Sequence, residues 1–147
     1  MGKQKQEEFC PVARTLDLIG DRWSLLIVRD AFDGICRFGE FQRNLGIARN
    51  ILSDRLQKLV EAGVLEVAPA SDGTAYQEYL LTARGRDLFT VVVGLRQWGE
   101  QHLYAKGEAR SSLLEIESGK PVPQLALRRR DGSALKPEDT VVRKVKA

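Results

Sequence analysis

The feature that most constrains this chain is a change of hydrophobic period at Gly63. Upstream of it, apolar residues recur at helical spacing in two short segments parted by Gly46. Phe41 and Leu45 stand four apart in the first, roughly Gly39–Leu45. Leu52, Leu56, Leu59 and Val60 form one stripe in the second, roughly Arg49–Ala62. Gly63 falls where a left-handed residue closes a helix. Beyond it the spacing turns strand-like, with Val64–Pro69 and Tyr76–Leu81 as partners around a polar tip, Ala70-Ser71-Asp72-Gly73-Thr74-Ala75.

The flanking segments follow the same rules. Pro11 suits the first turn of a helix, where its missing N–H costs nothing, and Val12, Leu16 and Ile19 continue that helix until Gly20. Asp21 is placed to cap a second helix, Arg22–Phe32, that buries Trp23, Leu26 and Ile27. Asp33-Gly34 signals a turn, and Ile35–Phe38 reads as a brief strand. Thr82 caps a long helix, Ala83–Leu103. Its apolar face of Leu88, Val91, Val92, Leu95 and Trp98 is wider than one short domain needs. From Ala105 the texture changes, and Ser111–Glu117, Gln124–Arg129 and Thr140–Val145 read as three short strands joined by Gly/Pro turns. The expected fold is therefore α+β. A first domain, 9–104, has long N- and C-terminal helices suited to dimerisation, and a small β-rich appendage follows at 105–147.

Composition narrows the function classes. With 43% hydrophobic and 29% charged residues, the 147-residue chain reads as a soluble globular protein. No apolar run approaches the ~20 residues of a membrane span. Met1–Glu8 is polar and carries no secretion signal, so a cytoplasmic protein without membrane attachment is expected. Cys10, Cys36 and His102 are too few for a disulfide framework or a zinc site, and no metal or cofactor is expected. The same scarcity argues against Cys-His or Ser-His catalysis, and the chain does not read as an enzyme.

Helix, short turn, helix and two-stranded ribbon together make the layout of a winged helix. In that arrangement the second helix packs Leu52, Leu56 and Leu59 inward and offers its other face to the major groove of double-stranded DNA. Arg49, Asn50, Ser53, Asp54, Gln57 and Lys58 lie on that face. Arg, Asn and Gln are the side chains that bond base edges in bidentate fashion. Arg37 and Arg43 stand near the preceding helix, where phosphate contacts would fix register, and Gly73 and Thr74 lie at the wing tip. The formal net charge is only +3, and cations and anions nearly balance over 9–103. Arg37–Lys58, however, sets five cations against Glu40 and Asp54. A polar helix face alone is ordinary solvated surface, and Asp72 leaves the wing tip acidic. A winged helix used only for protein interaction therefore stays open as an alternative.

Several ordered motifs resemble the HxlR-type regulators, a branch of the MarR-like winged helices. They are Cys10-Pro11-Val12 with Leu16-Asp17-Leu18-Ile19-Gly20-Asp21-Arg22-Trp23, then Arg37-Phe38-Gly39-Glu40-Phe41 and Ile51-Leu52-Ser53-Asp54-Arg55-Leu56. Glu61-Ala62-Gly63-Val64-Leu65, Glu78-Tyr79-Leu80-Leu81-Thr82-Ala83-Arg84-Gly85 and Gln97-Trp98-Gly99 complete them. The resemblance spans about residues 9–103. It implies a sequence-specific regulator of transcription acting as a homodimer on a pseudo-palindromic operator, a repressor in the first instance, although some relatives activate. The first and last helices would pair, through Leu16, Leu88, Val91, Val92, Leu95 and Trp98. It also implies an inducer, a small molecule or an electrophile or oxidant, with Cys10 in the sensing position. The dipole at a helix N-terminus favours a thiolate there, although cysteine is also a common small buried residue. Cys36 reads as inert packing. Longer relatives carry a cysteine-paired, zinc-ribbon-like C-terminal piece, and Leu127–Leu135 would be its metal-free counterpart. There Arg128, Arg129 and Arg130 form either a DNA contact or a solvated charge run.

Overall fold

A computed structural model describes residues 7–146. The expectation that Met1–Glu8 carries no secretion signal falls mostly outside the described residues. The chain divides into two compact units. One runs to Thr90 and takes in the chain from Lys144; the other spans Val91–Arg143. The expected boundary at 104/105 therefore falls inside the second unit.

The first unit opens with helix α1, Pro11–Ile19, capped by the Cys10 sulfur, which accepts the Ala13 N–H at 3.5 Å. Gly20 ends it in a turn so tight that a Cβ there would lie 2.3 Å from the Leu16 carbonyl oxygen. Helix α2, Arg22–Phe32, starts at Asp21, whose carboxylate accepts the N–H groups of Trp23 and Ser24, each at 3.0 Å. It runs through the middle of the unit, touching α1, the two helices that follow and the strand Gln77–Leu81. Ile27 and Val28 are fully buried, while Trp23 and Leu26 are only half-buried.

Helix α3, Phe38–Leu45, stops at Gly46, whose φ of 63° is the left-handed conformation that glycine adopts most readily. Helix α4, Arg49–Glu61, follows within a few residues. Strands β1, Leu65–Pro69, and β2, Gln77–Leu81, pair antiparallel with Leu65 opposite Leu81 and Val67 opposite Tyr79. Phe41, Leu52, Leu56, Leu59 and Leu65 join Ile27 in the core, each at 1% exposure or less. Burying a side chain of this size is worth about 1.5–3 kcal/mol, so these few residues hold the helices and the ribbon together.

Three sequence expectations need correction. Ile35–Phe38 is no strand; its pairing is one bond, from the Tyr79 N–H to the Cys36 carbonyl at 2.7 Å. The long helix Ala83–Leu103 is interrupted at Asp87-Leu88, giving α5, Ala83–Arg86, and α6, Phe89–His102. The cause is local. Thr82 caps α5 and also bonds back to the Gly63 carbonyl, and a Cβ on Gly85 would sit 2.1 Å from the Val64 carbonyl oxygen. The Leu88 N–H then bonds three residues back to Gly85, which tightens the turn and breaks the helical ladder.

The third correction lies mainly in the second unit, where none of the three expected strands forms among the described residues. Two isolated antiparallel bridges remain, Leu114 with Pro121 and Arg128 with Ala134. Pro121, Pro123 and Pro137 have no N–H to extend a ladder. Side chains of α6 hold the chain instead. Buried Gln97 donates to the Pro123 carbonyl at 3.0 Å and accepts the Leu125 N–H at 2.7 Å. Arg96 donates to the Ser111 hydroxyl at 2.9 Å, and Arg110 pairs with Glu100. Of the basic run, Arg128 bonds the Gly132 carbonyl and Arg129 pairs with Asp139 at 2.8 Å.

Candidate nucleic-acid interface

The two helices that meet at Gly46 build the site. Helix α4 commits Leu52, Leu56 and Leu59 to the core, which turns its opposite face outward. Arg49, Asn50, Ser53, Asp54, Gln57 and Lys58 are all exposed on that face or at its head. Some already have partners. Lys58 meets Asp54 at 3.2 Å and Arg55 meets it at 2.5 Å, holding the Asp54 carboxyl below its ordinary value. Gln57 donates to Glu61 at 3.1 Å. The Arg49 guanidinium lies over the Phe38 ring, 5.6 Å from its centre. Asn50 and Ser53, among the described residues, make no side-chain hydrogen bond.

Both helix N-termini are left without a side-chain cap. The residues before them are Arg37 and Ala48, whereas Cys10, Asp21 and Thr82 cap the other first-unit helices. Free N–H groups at a helix start, with the positive end of the dipole behind them, favour an anion. Around these two starts and the base of the wing lies a cleft of about 690 Å³, lined by Arg37, Arg43, Arg49, Tyr76, Gln77 and Tyr79. Three arginines thus line one cleft, with Glu40 the one acid among its described lining residues.

Arg37 is more tightly engaged than a free phosphate clamp would be. Its Nη2 meets the Asp72 carboxylate at the wing tip at 2.5 Å, and its Nε lies 3.9 Å from Glu78. Its guanidinium also stacks over Tyr76, 5.3 Å from the ring centre. The hydrogen bond from Arg37, joined by the Thr74 N–H, pulls the Asp72 carboxyl down to about 2. Gly73, with φ 77°, and Thr74 stand exposed at the turn. Just beneath, buried Glu78 accepts the Cys36 thiol at 3.1 Å and the Ser71 N–H at 2.8 Å. Burial, the bond to Glu78 and its negative charge push the Cys36 thiol up to about 11, so it stays protonated near neutrality.

Two anchoring contacts escaped the sequence reading. Asp21, besides capping α2, accepts Arg55 Nε at 3.0 Å, which ties α4 to α2 across 34 positions of sequence. Asp30 is fully buried in α2, where it accepts Asn44 of α3 at 2.8 Å and pairs with Arg29. The only hint of Asp30 in the sequence is an acid interrupting the apolar run of α2.

Each unit also leaves apolar surface open on its own helix. On α1, Val12 and Leu16 are 67% and 55% exposed. On α6, Val91, Leu95 and Trp98 are 42%, 56% and 59% exposed at spacings of four and three, while Val92 is half-buried, as is Leu88 in the break before the helix. Cys10 is half-buried at the head of α1. No described helix is long and apolar enough to cross a membrane.

Two uncapped helices joined by a tight turn, an outward polar helix face and a paired β-ribbon define a winged helix-turn-helix of the DNA-binding type. Comparison with known proteins places it further: a profile of the HxlR-like helix-turn-helix family matches residues 18–107, and the chain belongs to that family of transcriptional regulators. The crystal structure of PA1607, a candidate transcription factor, is 57% identical with a TM-score of 0.87, and the match covers 91% of this chain and 94% of that one. An HTH-type transcriptional regulator of Mycobacterium tuberculosis, Rv3095, is 52% identical over 92 residues, 63% of this chain. The match spans only 58% of that relative's length. The redox regulator HypR in its reduced form is 33% identical with a TM-score of 0.58, covering 64% of this chain and 94% of that one.

Proposed function

We propose that this chain is a cytoplasmic homodimeric repressor that reads a pseudo-palindromic operator with α4 and is released by oxidant or electrophile chemistry at Cys10. The observation that carries the DNA reading is the exposed face Arg49–Lys58, set over a buried leucine stripe beside the three-arginine cleft. Arg49 and Asn50 stand at the head of the helix, where base edges of the major groove are met first, and both bond bases in bidentate fashion. Arg43 and the open N-termini of α3 and α4 take phosphates. Gly73 and Thr74 present the wing to the flanking backbone.

Dimerisation through α1 and α6 is supported by the open stripes of Leu16 and of Val91, Leu95 and Trp98, with Leu88 and Val92 at their margin. A two-fold pair would set its two reading helices about one turn of DNA, ~34 Å, apart or a small multiple of it. Such a dimer on a promoter blocks access to it, which is the repressor reading. Sensing at Cys10 is supported by the likeness to a protein described as a redox regulator and by the thiol's seat at the head of α1. Adding bulk there would disturb the helix that carries the Leu16 surface.

Gel retardation with the gene's upstream region tests the DNA reading. Arg49→Ala and Asn50→Ala are each expected to cost on the order of 1–3 kcal/mol and to relax preference at one base position. No retarded species with that region or with a genomic fragment library would refute it. For sensing, wild type is expected to lose its operator after treatment with a quinone or hypochlorite while Cys10→Ser keeps it. Equal loss in both would remove Cys10 from the account.

A further inference from the structure

The wing tip carries an acid where a DNA-binding wing gains most from a base, and that acid is not idle. Asp72 is half-exposed, yet its carboxylate turns onto the Arg37 guanidinium at 2.5 Å. Arg37 lines the cleft together with Arg43 and Arg49 and sits at the uncapped start of α3. A phosphate there would find several donors. We propose that Asp72 sets the DNA affinity of this face: its carboxylate occupies Arg37 in place of a DNA phosphate, so that a duplex must displace it to gain that contact. This rests on the DNA-binding reading above.

The geometry makes the exchange feasible. Arg37 does not depend on Asp72 for its position, because Tyr76 stacks beneath it and Glu78 stands 3.9 Å from its Nε. Asp72 holds its own turn by a separate oxygen, Oδ1, which accepts the Thr74 N–H at 3.0 Å. The oxygen facing Arg37 can therefore be given up without undoing the turn. A partly exposed pair of this kind is weak, so a well-placed phosphate competes with it. Breaking the pair costs an operator and an unrelated duplex alike, because the phosphate backbone is common to both. Asp72 thus lowers the phosphate-driven part of the affinity and leaves the choice between sequences to the base contacts of α4.

The test uses the full-length chain and its Asp72→Asn, Arg37→Ala and doubly substituted variants. Asparagine keeps the acceptor for Thr74, and Asp72→Ser, whose hydroxyl also accepts, serves as a second variant should the first fold poorly. Binding to a short duplex of unrelated sequence is followed by fluorescence anisotropy across roughly 50–200 mM salt. Asp72→Asn is expected to steepen the plot of log K against log salt by about 0.9, one phosphate, a gain of about three- to fourfold at the low-salt end relative to the high. The gain should vanish when Arg37 is alanine as well, and operator affinity should rise by a comparable factor. An unchanged slope, or weaker binding in both Asp72 variants, would show that Asp72 is a strut of the wing and overturn the proposal. If wild type binds no duplex in a salt-dependent way, the DNA reading itself fails, and this inference falls with it.

Discussion

Replacing Asp21 by alanine should test how α4 is held in place. Two contributions are lost together. One is the helix cap, since the Asp21 carboxylate accepts the N–H groups of Trp23 and Ser24 and the Ser24 hydroxyl. Removing such a cap costs about 0.5–2 kcal/mol. The other is the pair with Arg55 at 3.0 Å, in which the two side chains are 28% and 26% exposed. Partial exposure limits it to about 0.2–1 kcal/mol. Together they give about 1–3 kcal/mol, read as a lower urea midpoint at unchanged m-value.

Asp21→Asn separates the two, because asparagine still caps but carries no charge. It should cost under about 1 kcal/mol. A double-mutant cycle between Asp21→Ala and Arg55→Ala should show coupling of about 0.2–1 kcal/mol. The pH dependence follows from the direction of the shift. Burial works to raise the Asp21 carboxyl, but the bonds from Ser24, Arg55 and Trp23 outweigh it and hold it below its ordinary value. A depressed carboxylate contributes stability that is complete above its unfolded pKa of about 3.9 and fades as pH falls through the folded value. Wild type should therefore lose stability below about pH 4 more steeply than Asp21→Asn, with little difference between their slopes at neutral pH. Strict additivity in the cycle, with parallel acid limbs, would refute the bridge from α2 to α4.

Gly85→Ala places a methyl group 2.1 Å from the Val64 carbonyl oxygen, which is backbone and cannot swing away. A net loss of about 1–3 kcal/mol in thermal or urea unfolding is expected despite alanine's better helix propensity. A neutral or stabilising result would show that α5 is not pressed against the Val64 carbonyl. In a Cys10→Ser background, Cys36 should resist iodoacetamide near neutral pH and react as the pH nears about 11, followed by intact mass. Rapid labelling at pH 7 in the folded protein would mean that Glu78 does not hold the thiol. If the proposed pairing through α6 holds, Leu95→Lys, which charges a residue that is 56% exposed on that helix, should give a monomer by light scattering and reduce operator affinity. Retention of the dimer would move the interface elsewhere.

What could be read in the sequence was what neighbouring residues decide. Pro11 at a helix start, Asp21 as a cap, and Gly46 and Gly63 at left-handed stops each act within one turn of chain, and the structure has them in those roles. The polar face of α4 was legible for the same reason, since the leucine period that buries one side also says which side is left. Pairings across the fold carried no such signal. Arg37 finds Asp72 at a separation of 35, Arg55 finds Asp21 at 34, and Cys36 finds Glu78 at 42. Asp72 shows what this does to a functional reading. Taken as an isolated charge, it weakens the case for a DNA-binding wing. Paired with Arg37, it becomes a cap on that arginine. The strands expected after Ala105 failed for the complementary reason: their β-formers were visible, but whether a ladder forms depends on partner N–H groups that Pro121 and Pro123 do not have and on bonds to Gln97 from another element. Charge and period therefore locate the proposed reading face, and the partners of each charge would decide how readily it is given to DNA.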